Sequence, residues 1–256
     1  MTINRGPIDL AGRVVLVTGG AGGIGGEVAV QAAAVGATIA IADRAVNDSP
    51  DGVLARIRAG GGTVEAFVGD LGDAADAARV IAAVEQRFGR IDGVANCAAI
   101  MGFGDFLDLD LAAWELMLKI DVMLVVHVCR AVLPGMLARG SGSIVNFASR
   151  LAETGSVEAP HYAVAKAAVV SLTRSLAQAY GPGGVRVNAV SPGTTNTAMG
   201  RDVIDSAAGR DRATRIPLRR FVTPAEVAST VVFLLSDAAS GIVGQTLQVN
   251  GGELMT

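Results

Sequence analysis

A tyrosine and a lysine stand four residues apart, Tyr162 and Lys166, thirteen residues after a serine, Ser149. On a helix, side chains at i and i+4 share one face and can act together. A phenol beside an ammonium is a proton donor whose affinity can be tuned, because the positive charge favours the phenolate. Near the start of the chain a glycine-rich stretch, Thr18-Gly19-Gly20-Ala21-Gly22-Gly23-Ile24-Gly25, follows a short apolar run. Such a turn between a strand and a helix lets backbone N–H groups approach a pyrophosphate, and the helix N-terminus favours its charge. One segment is suited to holding a dinucleotide and another to moving a proton, which together point to redox chemistry.

These groups need a frame. Apolar runs of strand length alternate with helical stretches from end to end. Strands are expected at 13–18, 38–42, 63–68, 91–96, 143–148, 185–190 and 246–249. Helices are expected at 23–35, 51–59, 74–88, from about 109 through 133, 161–180 and 224–236. Val-rich runs separated by Ala-rich stretches suit a buried parallel sheet covered by helices on both faces. The expected fold is α/β, a Rossmann-type doubly wound parallel sheet of about seven strands. With no linker or composition break, residues 1–256 read as one domain. Right-handed crossovers then place the ligand crevice at the carboxyl ends of the strands. The exception is 200–219, polar, charged and poorly patterned, which reads either as a lid over a substrate site or as a solvated excursion.

Composition narrows the class. The chain has 256 residues, a formal net charge of -3, 51% hydrophobic residues, and only 4% aromatics. There is no basic excess to attract nucleic acid and too few aromatics for a base-stacking platform. Residues 1–13 contain no apolar core of a signal peptide, and no run of 18 apolar residues predicts a membrane span. Cys97 and Cys129 form neither a disulfide framework nor a zinc pattern; both read as small buried hydrophobes in a reduced, cytoplasmic setting.

The cofactor pattern is ambiguous as text. Gly20, Gly22 and Gly25 satisfy G-x-G-x-x-G, while Gly19, Gly23 and Gly25 satisfy the wider G-x-x-x-G-x-G. Its place after a strand and at the start of a helix gives it weight. Asp43 ends the second strand, 24 residues after Gly19. A carboxylate there can accept both ribose hydroxyls of NAD and would repel the 2′-phosphate of NADP. Arg44 is the one nearby group that could hold that phosphate. Asp70 either bonds the adenine amino group or caps a turn.

Taken in order, the chain resembles the short-chain dehydrogenase/reductase family over almost its whole length. The resemblance is carried by the glycine stretch, Asp70-Leu71, Asn96-Cys97-Ala98-Ala99, Ser149, Tyr162-Ala-Val-Ala-Lys166, Arg186-Val-Asn188-Ala-Val-Ser-Pro192-Gly193 and Gly244-Gln-Thr-Leu-Gln-Val-Asn-Gly251-Gly252. It implies hydride transfer between nicotinamide C4 and a carbinol or carbonyl carbon. Tyr162 is then the acid/base, with its pKa lowered by Lys166 and by the positive nicotinamide of the oxidised cofactor. Lys166 also holds the nicotinamide ribose, and Ser149 orients the substrate oxygen. It implies cofactor contacts from Gly19, Gly23, Ile24, Gly25, Asp43, Asp70, Leu71, Asn96, Ala98, Pro192, Gly193, Thr195 and Thr197, with Thr197 near the amide or the phosphates. It also implies a homotetramer or dimer, paired through the helices at 114–133 and 162–180.

Two departures from the family pattern stand out. Ala99 replaces a glycine, which implies a turn without positive φ there. Asp121 occupies the place of an asparagine that completes a catalytic tetrad. An aspartate has the same shape but lacks the amide donor and can carry charge. A charged Asp121 near Lys166 favours the protonated lysine and alters the pH profile.

The remaining polar residues read more plainly. His127 is expected in the core or an interface, and His161 either near the site or on the surface at a helix start. Arg150 faces substrate or solvent. Met101, Phe103 and Met199 flank the expected mouth and form either an apolar substrate face or an exposed or interface surface, with substrate loops at about 99–108 and 194–220. The expected activity is that of an NAD-dependent oxidoreductase acting on a secondary alcohol or ketone, cyclic and largely apolar, with no metal. The alternatives are an NADP-dependent 3-oxoacyl-type reductase and a low-turnover dinucleotide-sensing protein.

Overall fold

The computed structural model describes residues 8–46 and 48–255; the first part of the stretch read as lacking a signal peptide, residues 1–7, lies outside them. Seven strands form one all-parallel sheet: β1 Val14–Thr18, β2 Thr38–Asp43, β3 Val64–Val68, β4 Gly93–Asn96, β5 Gly142–Phe147, β6 Val185–Pro192 and β7 Thr246–Val249. Their spatial order is β3-β2-β1-β4-β5-β6-β7. The helices are α1 Gly23–Ala34, α2 Val53–Ala59, α3 Ala74–Phe88, α4 Leu111–Leu118, α5 Leu124–Arg139, α6 Leu151–Thr154, α7 Pro160–Tyr180, α8 Arg201–Asp205, α9 Ala207–Arg215 and α10 Pro224–Leu235.

The two-residue period of a strand decides what each face buries. Val15 and Val17 of β1, with Ile39 and Ile41 of β2, pack under α1, α2 and α10. Val14 and Leu16, with Ala40 and Ala42, pack under α3, α5 and α7. Both faces are covered, which is why β1 is buried at every position.

The register aligns the carboxyl ends of three strands. Thr18 pairs with Ala42 of β2 and with Asn96 of β4. The chain winds outward from β1 to β3 and then crosses back to β4, so the strand order reverses between β1 and β4. The segments that leave these strand ends, beginning at Gly19, Arg44 and Cys97, therefore flank one crevice.

The structure corrects one expectation and adds detail to two other places. The single helix through residue 133 is broken by a π-helical turn, Lys119–Met123, between α4 and α5. It then runs on to Arg139 with Pro134 inside it. Pro134 forgoes one helical hydrogen bond, and burial of Leu133 and Met136 on either side holds the helix in place. The segment 200–219 is not irregular: it forms α8 and α9, and Ser206 caps α9 by accepting the Gly209 N–H at 2.8 Å. Local capping supports α9; α8 begins at Gly200 without a side-chain cap. The four-residue helix α6, just after Ser149, was also unforeseen.

Candidate active site

The glycine turn is shaped by close approach. Gly19 has φ +64°, and a Cβ there would lie 2.8 Å from the Ala98 Cα; one on Gly25 would lie 2.4 Å from the Gly19 carbonyl oxygen. At Gly22 and Gly23, by contrast, a Cβ would meet almost nothing, apart from the Thr197 methyl 3.9 Å from the Gly23 position. Gly22 is the N-cap of α1 and offers no side chain to the first turn. The turn thus packs tightly against β4 on one side and is open on the other, with helical N–H groups at its end. A pyrophosphate fits such a cradle.

Asp43 sits at the tip of β2 and is tied into this turn. It accepts the Ala21 N–H on Oδ2 (3.3 Å) and the Arg44 N–H on Oδ1 (2.8 Å). Each oxygen keeps a second lone pair for a hydroxyl donor. Asp70 accepts the Gly72 N–H at 3.0 Å and lies 3.7 Å from Lys119 Nζ. The N-cap of α3 is Asp73, not Asp70.

The α7 pair comes from a helix started by Pro160 at its first position. Lys166 is buried, its Nζ 5.4 Å from the Tyr162 ring centre. Asp121 is fully buried in the π-helical turn. Its Oδ2 lies 3.0 Å from Lys166 Nζ, and its Oδ1 accepts the Ile100 N–H at 2.8 Å. An asparagine could keep the Ile100 contact only by turning its NH₂ towards the lysine. The aspartate therefore accepts the Ile100 N–H on one oxygen and forms an ion pair with the lysine through the other.

The electrostatics follow from burial and this carboxylate. Burial lowers the Lys166 pKa, but Asp121 and Tyr162 raise it more, and the net shift is upward. Tyr162 also moves up, against the expected lowering: burial dominates, Lys166 opposes it, Asp121 adds to it, and the Ser149 hydroxyl opposes it. The lowering foreseen from Lys166 is present but outweighed.

One cavity of about 510 Å³ is lined by Gly19, Gly23, Ile24, Gly25, Asp43, Asp70, Leu71, Ala98, Ser149, Tyr162, Lys166, Pro192, Gly193, Thr195 and Thr197. That is the size of a small-molecule or cofactor site. Met101, Phe103 and Met199 line it as expected, and so does Arg150. Ala99 also lines it, and its φ is not positive.

Two expected residues do not line the cavity. Asp121 reaches it only through Lys166. Asn96 is 1% exposed and turns inward, donating to Asn146 Oδ1 at 2.8 Å. Asn146 donates in turn to Thr173 on α7 at 2.9 Å. This buried thread joins β4, β5 and α7, and so fixes the Tyr162 helix relative to the glycine turn. Asn146 and Thr173 escaped the sequence reading; the signal was a polar residue inside an otherwise apolar run.

His161 is buried against Trp114 (ring centres 5.9 Å) and Gly102, is not on the surface, and does not line the cavity. Burial depresses its pKa, partly offset by Asp121. His127 is half-buried, with Nδ1 3.2 Å from the Leu71 carbonyl. Cys129 is buried, whereas Cys97 is half-buried and lines the cavity.

Known proteins resemble this chain in sequence and fold. A family model described as enoyl-(acyl carrier protein) reductase matches residues 19–253. A 2-(S)-hydroxypropyl-CoM dehydrogenase of Xanthobacter autotrophicus is 38% identical, over 95% of this chain and 97% of its own. A crystal structure with the provisional description of an NAD(P)-dependent gluconate 5-dehydrogenase from Beutenbergia cavernae, with NADP at low occupancy, is 37% identical. Its TM-score is 0.93, over 98% of this chain and 100% of its own. A 7α-hydroxysteroid dehydrogenase in complex with NADH is 29% identical with a TM-score of 0.92, over 98% of each chain. The chain belongs to the short-chain dehydrogenase/reductase family. It is an oxidoreductase acting on CH–OH groups, on a fold that binds a nicotinamide dinucleotide. Among the described residues no helix is long and apolar enough to cross a membrane.

Proposed function

We propose that this protein is an NAD-dependent oxidoreductase interconverting a secondary alcohol and its ketone. One observation carries the reading: Ser149, Tyr162 and Lys166 line the same cavity as the open side of the glycine turn. A bound nicotinamide dinucleotide supplies the hydride acceptor or donor and, when oxidised, a positive charge above the site. The cradle from Gly19 to Gly25 holds its pyrophosphate, with Thr197 closing over Gly23, and Lys166 holds the nicotinamide ribose. Ser149 donates to the substrate oxygen. Tyr162 gives that oxygen a proton in reduction and takes one in oxidation. Burial raises the Tyr162 pKa, which favours the phenol as the acid in reduction, and the positive charge of the oxidised nicotinamide acts in the opposite direction, towards the phenolate that oxidation needs.

The preference for NAD rests on Asp43, whose carboxylate faces the place of a ribose hydroxyl pair and would repel a phosphate. Titration of the purified protein with NADH and NADPH, followed by a panel of secondary alcohols, tests the whole reading. Asp43→Ser is expected to weaken NADH by roughly 10- to 100-fold, the loss of charge-assisted hydrogen bonds, and to bring NADPH closer to parity. An unchanged NADH:NADPH ratio would remove Asp43 from the site. An NADP-dependent 3-oxoacyl-type reductase is the second reading, supported by Arg44, exposed beside Asp43 on the cavity wall. Tight binding without turnover would support the low-turnover sensor.

Asp121 gives a pH prediction with a definite sign. It raises the pKa of both Tyr162 and Lys166, so Asp121→Asn lowers both. The alkaline rise of the oxidation rate should move to lower pH, by on the order of one unit. pH–rate curves for the two proteins decide this, and superimposable curves would refute it.

The loops at 99–108 and 194–220 form the substrate side, with Met101, Phe103 and Met199 giving it an apolar face. Exposed Leu116, Leu118 and Met123 near the π-helical turn, and Val164 on α7, support pairing into a dimer or tetramer through these helices.

A further inference from the structure

We infer that the substrate carries an anionic oxygen group, a carboxylate or sulfonate, held by Arg150 and Arg212. The inference rests on the oxidoreductase reading and names the substrate class for it. Three charged side chains from distant parts of the chain meet beside the cavity: Arg150 next to Ser149 and Arg212 on α9, which line it, and Glu253 after β7, which lies behind them. Both guanidiniums converge on a single oxygen, Glu253 Oε1; Arg150 Nε lies 3.3 Å from it, and Arg212 contacts it through Nε and Nη2. All three are largely covered, with side-chain exposures of 20%, 26% and 10%.

Two positive charges thus share one negative charge, leaving a net single positive charge in a partly desolvated place. The pKa of Arg150 is lowered, first by burial and also by Arg212, with Glu253 opposing. The glutamate is not fully used either: Oε2 is buried with no hydrogen-bond partner, beside Gly193. Two guanidiniums carry ten N–H donors, and one carboxylate oxygen cannot satisfy them.

Both arginines line the cavity that holds Ser149 and Tyr162, whereas Glu158, the acidic neighbour at the mouth, is exposed to solvent. Arg150 directly follows Ser149, so an anion on this pair lies a few bonds from an oxygen held by Ser149. The pyrophosphate cradle is built by a different element, the turn between β1 and α1. The geometry therefore assigns the arginines to the substrate, a short hydroxy- or oxo-acid. Planar guanidinium forks match carboxylate and sulfonate oxygens.

The test uses the NADH-loaded protein titrated with butanoate, propane-1-sulfonate and the neutral butanamide, read by nicotinamide fluorescence and calorimetry. At least one anion should bind about tenfold or more tightly than the amide, as charge-assisted hydrogen bonds imply. Arg212→Met and Arg150→Met should each erase that preference, and Glu253→Gln, which frees both arginines, should enlarge it. Equal binding of acid and amide would overturn the inference while leaving NADH binding, and with it the oxidoreductase reading, intact. A loss of NADH affinity in the arginine variants with the acid preference unchanged would also overturn it, placing the pair on the cofactor. Failure of the parent to bind NADH would instead sink the oxidoreductase reading itself.

Discussion

Phenylalanine at Tyr162 is expected to cut turnover by about 10²- to 10⁴-fold in both directions, the usual contribution of a positioned acid/base, while NADH still binds. The substitution removes one oxygen and keeps the ring, so α7 and the place of Lys166 should be undisturbed. The direction of the pKa adds a second signature. Tyr162 is raised because burial, helped by Asp121, outweighs Lys166 and Ser149. In the parent, oxidation must then climb with pH as the phenolate forms, while reduction proceeds with the phenol protonated across neutral pH. The variant should lose the alkaline climb along with the rate. Steady-state rates in both directions from pH 6 to 10, with an NADH titration beside them, measure this. A loss of less than about tenfold, with the climb intact, would show that another group moves the proton.

The frame of the site was legible because its signals are local. Glycines that only a close approach explains, apolar runs of strand length, and a Tyr/Lys pair at helical spacing all act within a few residues. They place the strand ends and α7 to within a few residues of their observed bounds. The chemistry of the site was less legible where it depends on distant partners. That Asp121 lies near Lys166 was foreseen from the family position, but the direct ion pair between their side chains was not. That burial would outweigh Lys166 at Tyr162 was not, because desolvation is a property of the packed interior and not of the sequence interval. Asn96 was read as a cofactor residue, yet its side chain turns to Asn146, fifty positions away. Arg212 and Glu253 meet across the fold from segments with no periodic pattern. The π-helical turn at Lys119–Met123, which carries the buried Asp121, left no composition signal either.

That buried pair sets the largest expected effect on stability. Lys166→Met should destabilise the protein by about 3–5 kcal/mol near pH 8, the cost of leaving one member of a buried ion pair alone. Asp121 is fully buried and faces the lysine at 3.0 Å, with only the Ile100 N–H as its other partner. An unpaired buried carboxylate can relieve its charge by taking up a proton. The penalty should therefore shrink as pH falls, with less lost at pH 5 than at pH 8. Adding Asp121→Asn removes the stranded charge, so the double variant should recover much of the loss even though it has one substitution more. The neutral amide can still accept the Ile100 N–H through its oxygen, and the introduced methionine side chain fills the space of the lysine stem. Urea unfolding of the parent, both single variants and the double variant at both pH values, at one fixed protein concentration, gives the coupling directly. Additive losses, with no pH dependence in Lys166→Met, would mean that the pair does not share its charge. Tyr162 would then owe its raised pKa to burial alone.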